Sequence, residues 1–189
     1  MRGIYVALLS SVLVLSGCQT TTNIKNNVFD SYQVLHNQKT NETAYISCAA
    51  SISCRFQRVD DIPLMNDHQG RPTKQAIEQG VLRLEGSIFN LKNQYALSLV
   101  QGQHELDILF YPTSSQRAER FHLIHHFDAG SRYKLVMSKQ KNVANGSLMQ
   151  VATPGALCVD LLQDDVIKKR FCRDFDALTG LGEFVEKKL

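Results

Sequence analysis

His122, His125, His126 and Asp128 are the residues whose types and spacing come nearest to a chemical site in this chain. Neutral imidazole binds zinc or copper. On a strand, His122, His126 and Asp128 project from one face as a candidate metal set, and His125 projects from the other beside Leu123 and Phe127. Strand residues four apart are about 13 Å apart at about 3.3 Å per residue. One ion therefore reaches both histidines only across a bulge, with a third ligand such as His104 brought from elsewhere. The competing reading is a row of surface and half-buried histidines. The carboxylate pairs Asp60-Asp61 and Asp164-Asp165 belong in turns, where Asp bonds its own backbone. Adjacent strand residues face opposite ways, so neither pair makes a general acid/base couple. There is no Gly-x-Ser-x-Gly elbow and no glycine-rich phosphate cradle. A catalytic triad is assembled in space rather than along the chain, so a hydrolase stays open as the least favoured alternative.

The five cysteines divide into one and four. Cys18 follows Met1-Arg2-Gly3, an apolar run of 12 residues from Ile4 to Leu15, and the small residues Ser16 and Gly17. A charged start, an apolar middle and small residues before the cysteine are the layout of a secretory signal over residues 1–17. The run is well short of the roughly 20 residues of a membrane-spanning helix. Cys48, Cys54, Cys158 and Cys172 remain, and an even set in an exported chain points to two disulfides. Four cysteines allow three pairings, and spacing alone does not choose among them. Strand geometry favours local ones. Cys48 and Cys54 are symmetric about Ser51, Cys158 and Cys172 about Asp165, so each pair faces across a hairpin that reverses at its midpoint. The second register sets Asp160 against Arg170 and Val159 against Phe171; the first sets Ile46 against Phe56. Opposed antiparallel residues lie within disulfide range. Crossed pairing, free thiols and a metal site are the rivals, the last fitting no common zinc spacing.

These groups need strands to position them, and from Thr43 onward the apolar period is two. Ile52, Cys54 and Phe56 form one set, Leu82 and Leu84 the next, then Tyr95, Leu97 and Leu99, and Leu106, Ile108 and Phe110. Phe121, Leu123 and Phe127 continue it, followed by Tyr133, Leu135 and Met137. Such alternation predicts strands with one face in a core. Turn formers fill the gaps at Gln101-Gly102-Gln103, Asp128-Ala129-Gly130-Ser131, Asn145-Gly146 and Pro154-Gly155. The fold class is therefore mainly β: a single antiparallel β-sandwich, or small barrel, over residues 41–175, with minor short helices. Lys74 to Gln79, closed by Gly80, predicts a turn or two of helix. Residues 18–40 read as a flexible tether, polar from Gln19 to Asn27, with Phe29, Tyr32 and Leu35 at near-helical spacing. Residues 176–189 read as a C-terminal tail or short helix with Leu178, Leu181, Phe184 and Val185 on its apolar side, weakened by Gly180 and Gly182.

Without residues 1–17 the chain keeps 172 residues, enough for one domain with a core, and a formal charge of +2. That near balance gives no strong field for nucleic acid. Lys168-Lys169-Arg170 and Lys187-Lys188 are local clusters, read as a solvated edge and tail or as contacts for lipid headgroups or anionic glycans. Leu109 and Tyr111 fall opposite Ile108 and Phe110, as ordinary surface residues or part of a patch that meets a partner.

Leu15-Ser16-Gly17-Cys18 resembles the lipobox of bacterial lipoproteins, whose cysteine is lipidated and becomes the first mature residue. The resemblance implies membrane lipid as a partner through acylated Cys18. Gln19 rather than Asp after it implies sorting to the outer membrane. Several acyl chains exceed the two signals stable anchoring needs, and a coiled tether of nine residues reaches only about 15–20 Å. Gly102-Gln103-His104-Glu105-Leu106-Asp107-Ile108 with Phe127-Asp128-Ala129-Gly130-Ser131-Arg132-Tyr133 resembles PEGA-like and transthyretin-like β-sandwich domains of envelope lipoproteins. There a strand follows a Gly-x-His turn and a later hairpin carries Phe-x-x-Gly-x-x-Tyr. This second resemblance, over residues 101–135, implies a sandwich that binds and assembles, with no catalytic residues and no cofactor. The expectation is an outer-membrane lipoprotein with a periplasmic domain acting as a non-catalytic accessory or assembly subunit of an envelope complex. The alternative is a small-ligand, glycan or metal-binding lipoprotein using the 60–73 loop and the histidines.

Overall fold

The computed structural model describes residues 42–66, 70–85, 95–140, 155–174 and 182–189. The signal, Cys18, the tether with its short helix, and the turn at Asn145-Gly146 lie outside the described residues. Eleven strands follow in chain order: β1 (Thr43–Cys48), β2 (Ser53–Val59), β3 (Ile62–Pro63), β4 (Leu82–Leu84), β5 (Tyr95–Val100), β6 (Gly102–Ser114), β7 (Arg117–Phe127), β8 (Arg132–Lys139), β9 (Leu157–Gln163), β10 (Val166–Arg173) and β11 (Val185–Lys187). Among the described residues one helix, α1 (Lys74–Glu78), sits between β3 and β4 where the sequence places it. Thr73 caps it by accepting from the Ala76 N–H at 3.1 Å, and Gly80 supplies the left-handed residue past its end.

The strands form two layers, a seven-stranded sheet in the order β11-β10-β9-β8-β1-β5-β4 and a four-stranded sheet in the order β3-β2-β6-β7. The two-residue periodicity gives each sheet one apolar face, and these faces meet. Ile46, Leu97, Leu99, Tyr133, Leu135, Met137, Val159 and Leu161 of the large sheet are buried with Phe56, Leu106, Ile108, Phe110, Phe121, Leu123 and Phe127 of the small one. The result is a sandwich of two separate sheets rather than a barrel. All pairs are antiparallel except β1 with β8, which run parallel and set Ile46 beside Tyr133.

The β9–β10 hairpin has the predicted register: Asp160 opposes Arg170, Val159 opposes Phe171, and Cys158 opposes Cys172, which are bonded. The reversal falls at Asp164-Asp165, both with positive φ (49° and 64°), a mirror-type turn whose twist suits a hairpin. That turn pairs Gln163 with Val166, a register that alone would set Cys172 against Leu157. The irregularity between Ile167 and Lys169 absorbs Lys168 and brings the cysteines opposite.

Three expectations are corrected. Cys48 and Cys54 are bonded, but β1 and β2 do not form a hairpin. Ile46 faces Leu97 and Tyr133 in the large sheet, and Phe56 faces Ile108 in the small one. The residues between the cysteines carry the chain from one layer to the other, so Ile46 and Phe56 both enter the core, from opposite sides, and the disulfide ties the two sheets together. The turns at residues 101–103 and 128–131 are likewise corners between sheets, since β5 and β8 belong to the large sheet and β6 and β7 to the small one. The Phe-x-x-Gly-x-x-Tyr segment is therefore not a hairpin turn; Gly130 (φ 75°) makes its corner. Finally, the end of the chain is not helical where it is described: Val185–Lys187 pairs with Arg170–Cys172 as an edge strand. An unsatisfied β10 edge offers hydrogen bonds that a glycine-weakened helix does not match.

Candidate functional site

The chemistry-bearing residues gather on the outer face of the small sheet. β6 places Glu105 and Asp107 there, β7 places Arg120, His122, Ile124 and His126, and β2 adds Arg55 and Arg58. Arg58 reaches this face because the ladder slips between Phe56 and Arg58. Unbroken alternation would have turned it inward with Cys54 and Phe56. It binds Asp107 through Nε at 2.9 Å, Glu105 through Nη2, and the Asp60 carbonyl through Nη1. His122 Nδ1 donates to the other Asp107 oxygen at 2.9 Å. Burial pushes the Asp107 carboxyl up, but His122 and Arg58 together outweigh it and hold it below the ordinary carboxylate value.

A second group pins the rim where β2, β5 and β6 meet. Asp60, at the β2–β3 turn with φ 48°, accepts the Glu105 N–H at 2.9 Å and lies 2.7 Å from His104 Nδ1. His104 Nε2 donates to the Val100 carbonyl at 2.9 Å. Burial raises the Asp60 carboxyl, and the Glu105 N–H, His104 and Arg58 overcome that and lower it. His104 thus bridges the corner between sheets, with its ring 6.3 Å from that of Phe127.

The histidines do not converge. His122 is held by Asp107, four residues along β7 from His126, whose Nε2 is 3.9 Å from Asp128 Oδ1. Asp128 lies beyond the strand, bound by the Tyr133 hydroxyl, to which its own N–H donates at 3.0 Å, and by Gln163 Nε2 at 3.2 Å. His104 points to the opposite side of the sheet from His122 and is occupied by Asp60. Among the described residues no group of three His, Cys, Asp or Glu side chains is placed to hold a metal ion. His125 faces inward as its parity predicts, edge-on to Phe127 at 5.0 Å and to Tyr133 at 5.6 Å. Burial, aided by the Lys169 charge, lowers its pKa.

The basic run at residues 168–170 is largely compensated: Lys169 pairs with Glu186, and Arg170 binds Asp160 in a two-pronged bridge at 2.6 and 2.7 Å. Lys187 pairs with Asp174. Leu109 and Tyr111 are half-buried, and the Arg55 guanidinium lies over the Tyr111 ring at 5.8 Å.

The feature that sequence reasoning missed is the boundary of this face. Among the described residues, three of the four sheet edges are very short: β3 has two residues, β4 three and β11 three. The fourth edge is β7, with eleven residues and no proline, and its pairing with β6 runs without a break from Glu119 to Phe127. Short strands are a usual guard against unwanted pairing, and β7 lacks it. Comparison with protein families, curated proteins and solved structures brings no match to this chain.

Proposed function

We propose that the chain is an outer-membrane lipoprotein, anchored through acylated Cys18, whose periplasmic β domain acts as a non-catalytic accessory or assembly subunit of an envelope complex. The observation that supports a binding role is the long β7 edge, which no strand pairs among the described residues, on a domain whose other edge strands are two or three residues long. A rigid support goes with it. One disulfide joins the two layers and the other staples β9 to β10, so the edge is presented from a frame that resists deformation. Two disulfides also suit an oxidising compartment outside the cytoplasm.

Two measurements test this. Cys18→Ser should move the protein from the membrane to the soluble periplasmic fraction; continued attachment would remove the lipid anchor. In-cell crosslinking of the anchored chain, with mass spectrometry of the purified adduct, should return one enriched envelope protein. Recovery of the chain alone would set the assembly role aside in favour of a ligand or glycan.

A further inference from the structure

We infer that the free edge of β7 takes an extended, acidic segment of a partner protein as an added strand of the small sheet. The inference rests on the binding role proposed above and names where and what the domain binds.

The direction of the main chain along β7 follows from hydrogen bonds one strand away. The Asp60 N–H donates to the Glu105 carbonyl at 2.8 Å, and Asp60 Oδ1 accepts from the Glu105 N–H. Glu105 therefore turns its peptide groups toward β2. By strand alternation His104, Leu106, Ile108 and Phe110 turn theirs toward β7. Their partners are His125, Leu123, Phe121 and Glu119. The intervening residues Arg120, His122, Ile124 and His126 consequently direct both N–H and C=O to the open edge, where no strand pairs with them among the described residues. These same four residues carry the side chains exposed on the outer face. An added strand would meet their backbone groups along its edge and their side chains on the shared face.

Charge sets the partner's chemistry. The acids on this face are already engaged, Glu105 and Asp107 by Arg58 and His122, and Glu119, on the inner side of β7, is held by Arg173 at 2.8 Å. Arg117 and Arg120 have no ion-pair partner among the described residues. Ile124 is 51% exposed. An incoming strand with acids opposite Arg120 and the histidines, and an apolar residue opposite Ile124, complements the row. A second copy of this chain does not. The outward row Arg120, His122, Ile124, His126 holds no acid, and Asp128, the next residue of that parity, lies beyond the strand and is engaged by Tyr133 and Gln163, so no register within β7 sets a carboxylate against Arg120.

The test uses the full chain in detergent and a short synthetic Glu/Val peptide, with Glu along one face except for a Val opposite Ile124 and Val along the other face, and a control in which each Glu is Lys. The Glu/Val peptide should bind about tenfold or more tightly than the control. It should slow amide exchange at Arg120, His122, Ile124 and His126, while Phe121 and Leu123 keep the protection they already have. Ile124→Pro removes an outward N–H and no bond to β6, a position proline tolerates, and it should abolish peptide binding with melting temperature nearly unchanged. Arg120→Glu leaves the backbone alone and should invert the peptide preference, which keeps the test decisive if the proline variant does not fold. Failure of the Glu/Val peptide to bind, binding that survives Ile124→Pro, or indifference to peptide charge would overturn the inference. So would a chain dimer that Ile124→Pro dissociates, since the edge would then belong to a second copy. An envelope partner still captured by Ile124→Pro in cells would leave the accessory role standing on another surface. Peptide binding with no envelope partner would leave the edge and sink the role.

Discussion

Replacing Phe121 by Ala should cost about 4–5 kcal/mol of folding stability, the upper part of the range for a buried Phe. Phe121 is fully buried on β7, and its ring lies 5.2 Å from Phe171, 5.3 Å from Phe184 and 6.3 Å from Phe110. Those neighbours come from the partner strand in the small sheet, from β10 of the large sheet, and from the chain just before β11. Collapse of the cavity would require β10 to move, yet β10 is held by Cys158–Cys172 and by the Asp160–Arg170 bridge. The cavity therefore stays open and the cost stays high. Against a total of about 5–15 kcal/mol this is a large share. It corresponds to a fall in melting temperature of roughly 10–15 °C for a domain of this size. Urea unfolding followed by far-UV circular dichroism should show a lower midpoint with unchanged slope. A double-mutant cycle pairing Phe121→Leu with Phe171→Leu should give a coupling of about 0.5–1.5 kcal/mol. Ile124→Ala, on the exposed side of the same strand, should change stability by less than about 0.5 kcal/mol. A loss below about 1.5 kcal/mol for Phe121→Ala would mean that β7 does not seat on β10, and the argument that a rigid frame presents the β7 edge would fail with it.

Acid should weaken the fold in two stages. His125 is depressed, so its native form is neutral; stability is full above the unfolded value near 6.5 and declines as the pH falls toward the lower folded value. His125→Phe should remove that upper stage from a melting-temperature profile. Asp60 and Asp107 are also depressed; their contribution is present above about pH 4 and is lost as the pH falls through their folded values, below 3.8. Asp107→Asn should flatten part of that lower stage, and an unchanged profile would count against the Arg58–Asp107–His122 network. Non-reducing peptide mapping should recover Cys48 linked to Cys54 and Cys158 to Cys172. By loop entropy alone, loss of the second bond, which closes 14 positions, should cost about 3 kcal/mol, and loss of the first, which closes 6, about 2 kcal/mol. A Cys48–Cys172 peptide would refute both pairings.

Local chemistry carried a large part of this fold. Alternation at Leu106, Ile108 and Phe110 or at Tyr133, Leu135 and Met137 dictates a strand and its buried face, because a strand turns successive side chains to opposite sides. The same rule was enough for the inward turn of His125, whereas Asp160 facing Arg170 follows from setting Cys158 against Cys172, a register the irregularity at Lys168 makes possible. Thr73 and Gly80 bounded the short helix for equally local reasons. Which sheet a strand joins is a different matter, since β1 and β2 have the same alternation in one layer or in two. The contest between a hairpin and a crossing at residues 49–52 is decided by how Ile46 and Phe56 are buried together, a contact across the core that no short stretch of chain records. Arg58 came to the outer face through a slip in the ladder, invisible to a strict period of two. The open edge depended on the whole arrangement: β7 alternates like any other strand, and it is left at the margin because the other described strands pair elsewhere in the sandwich.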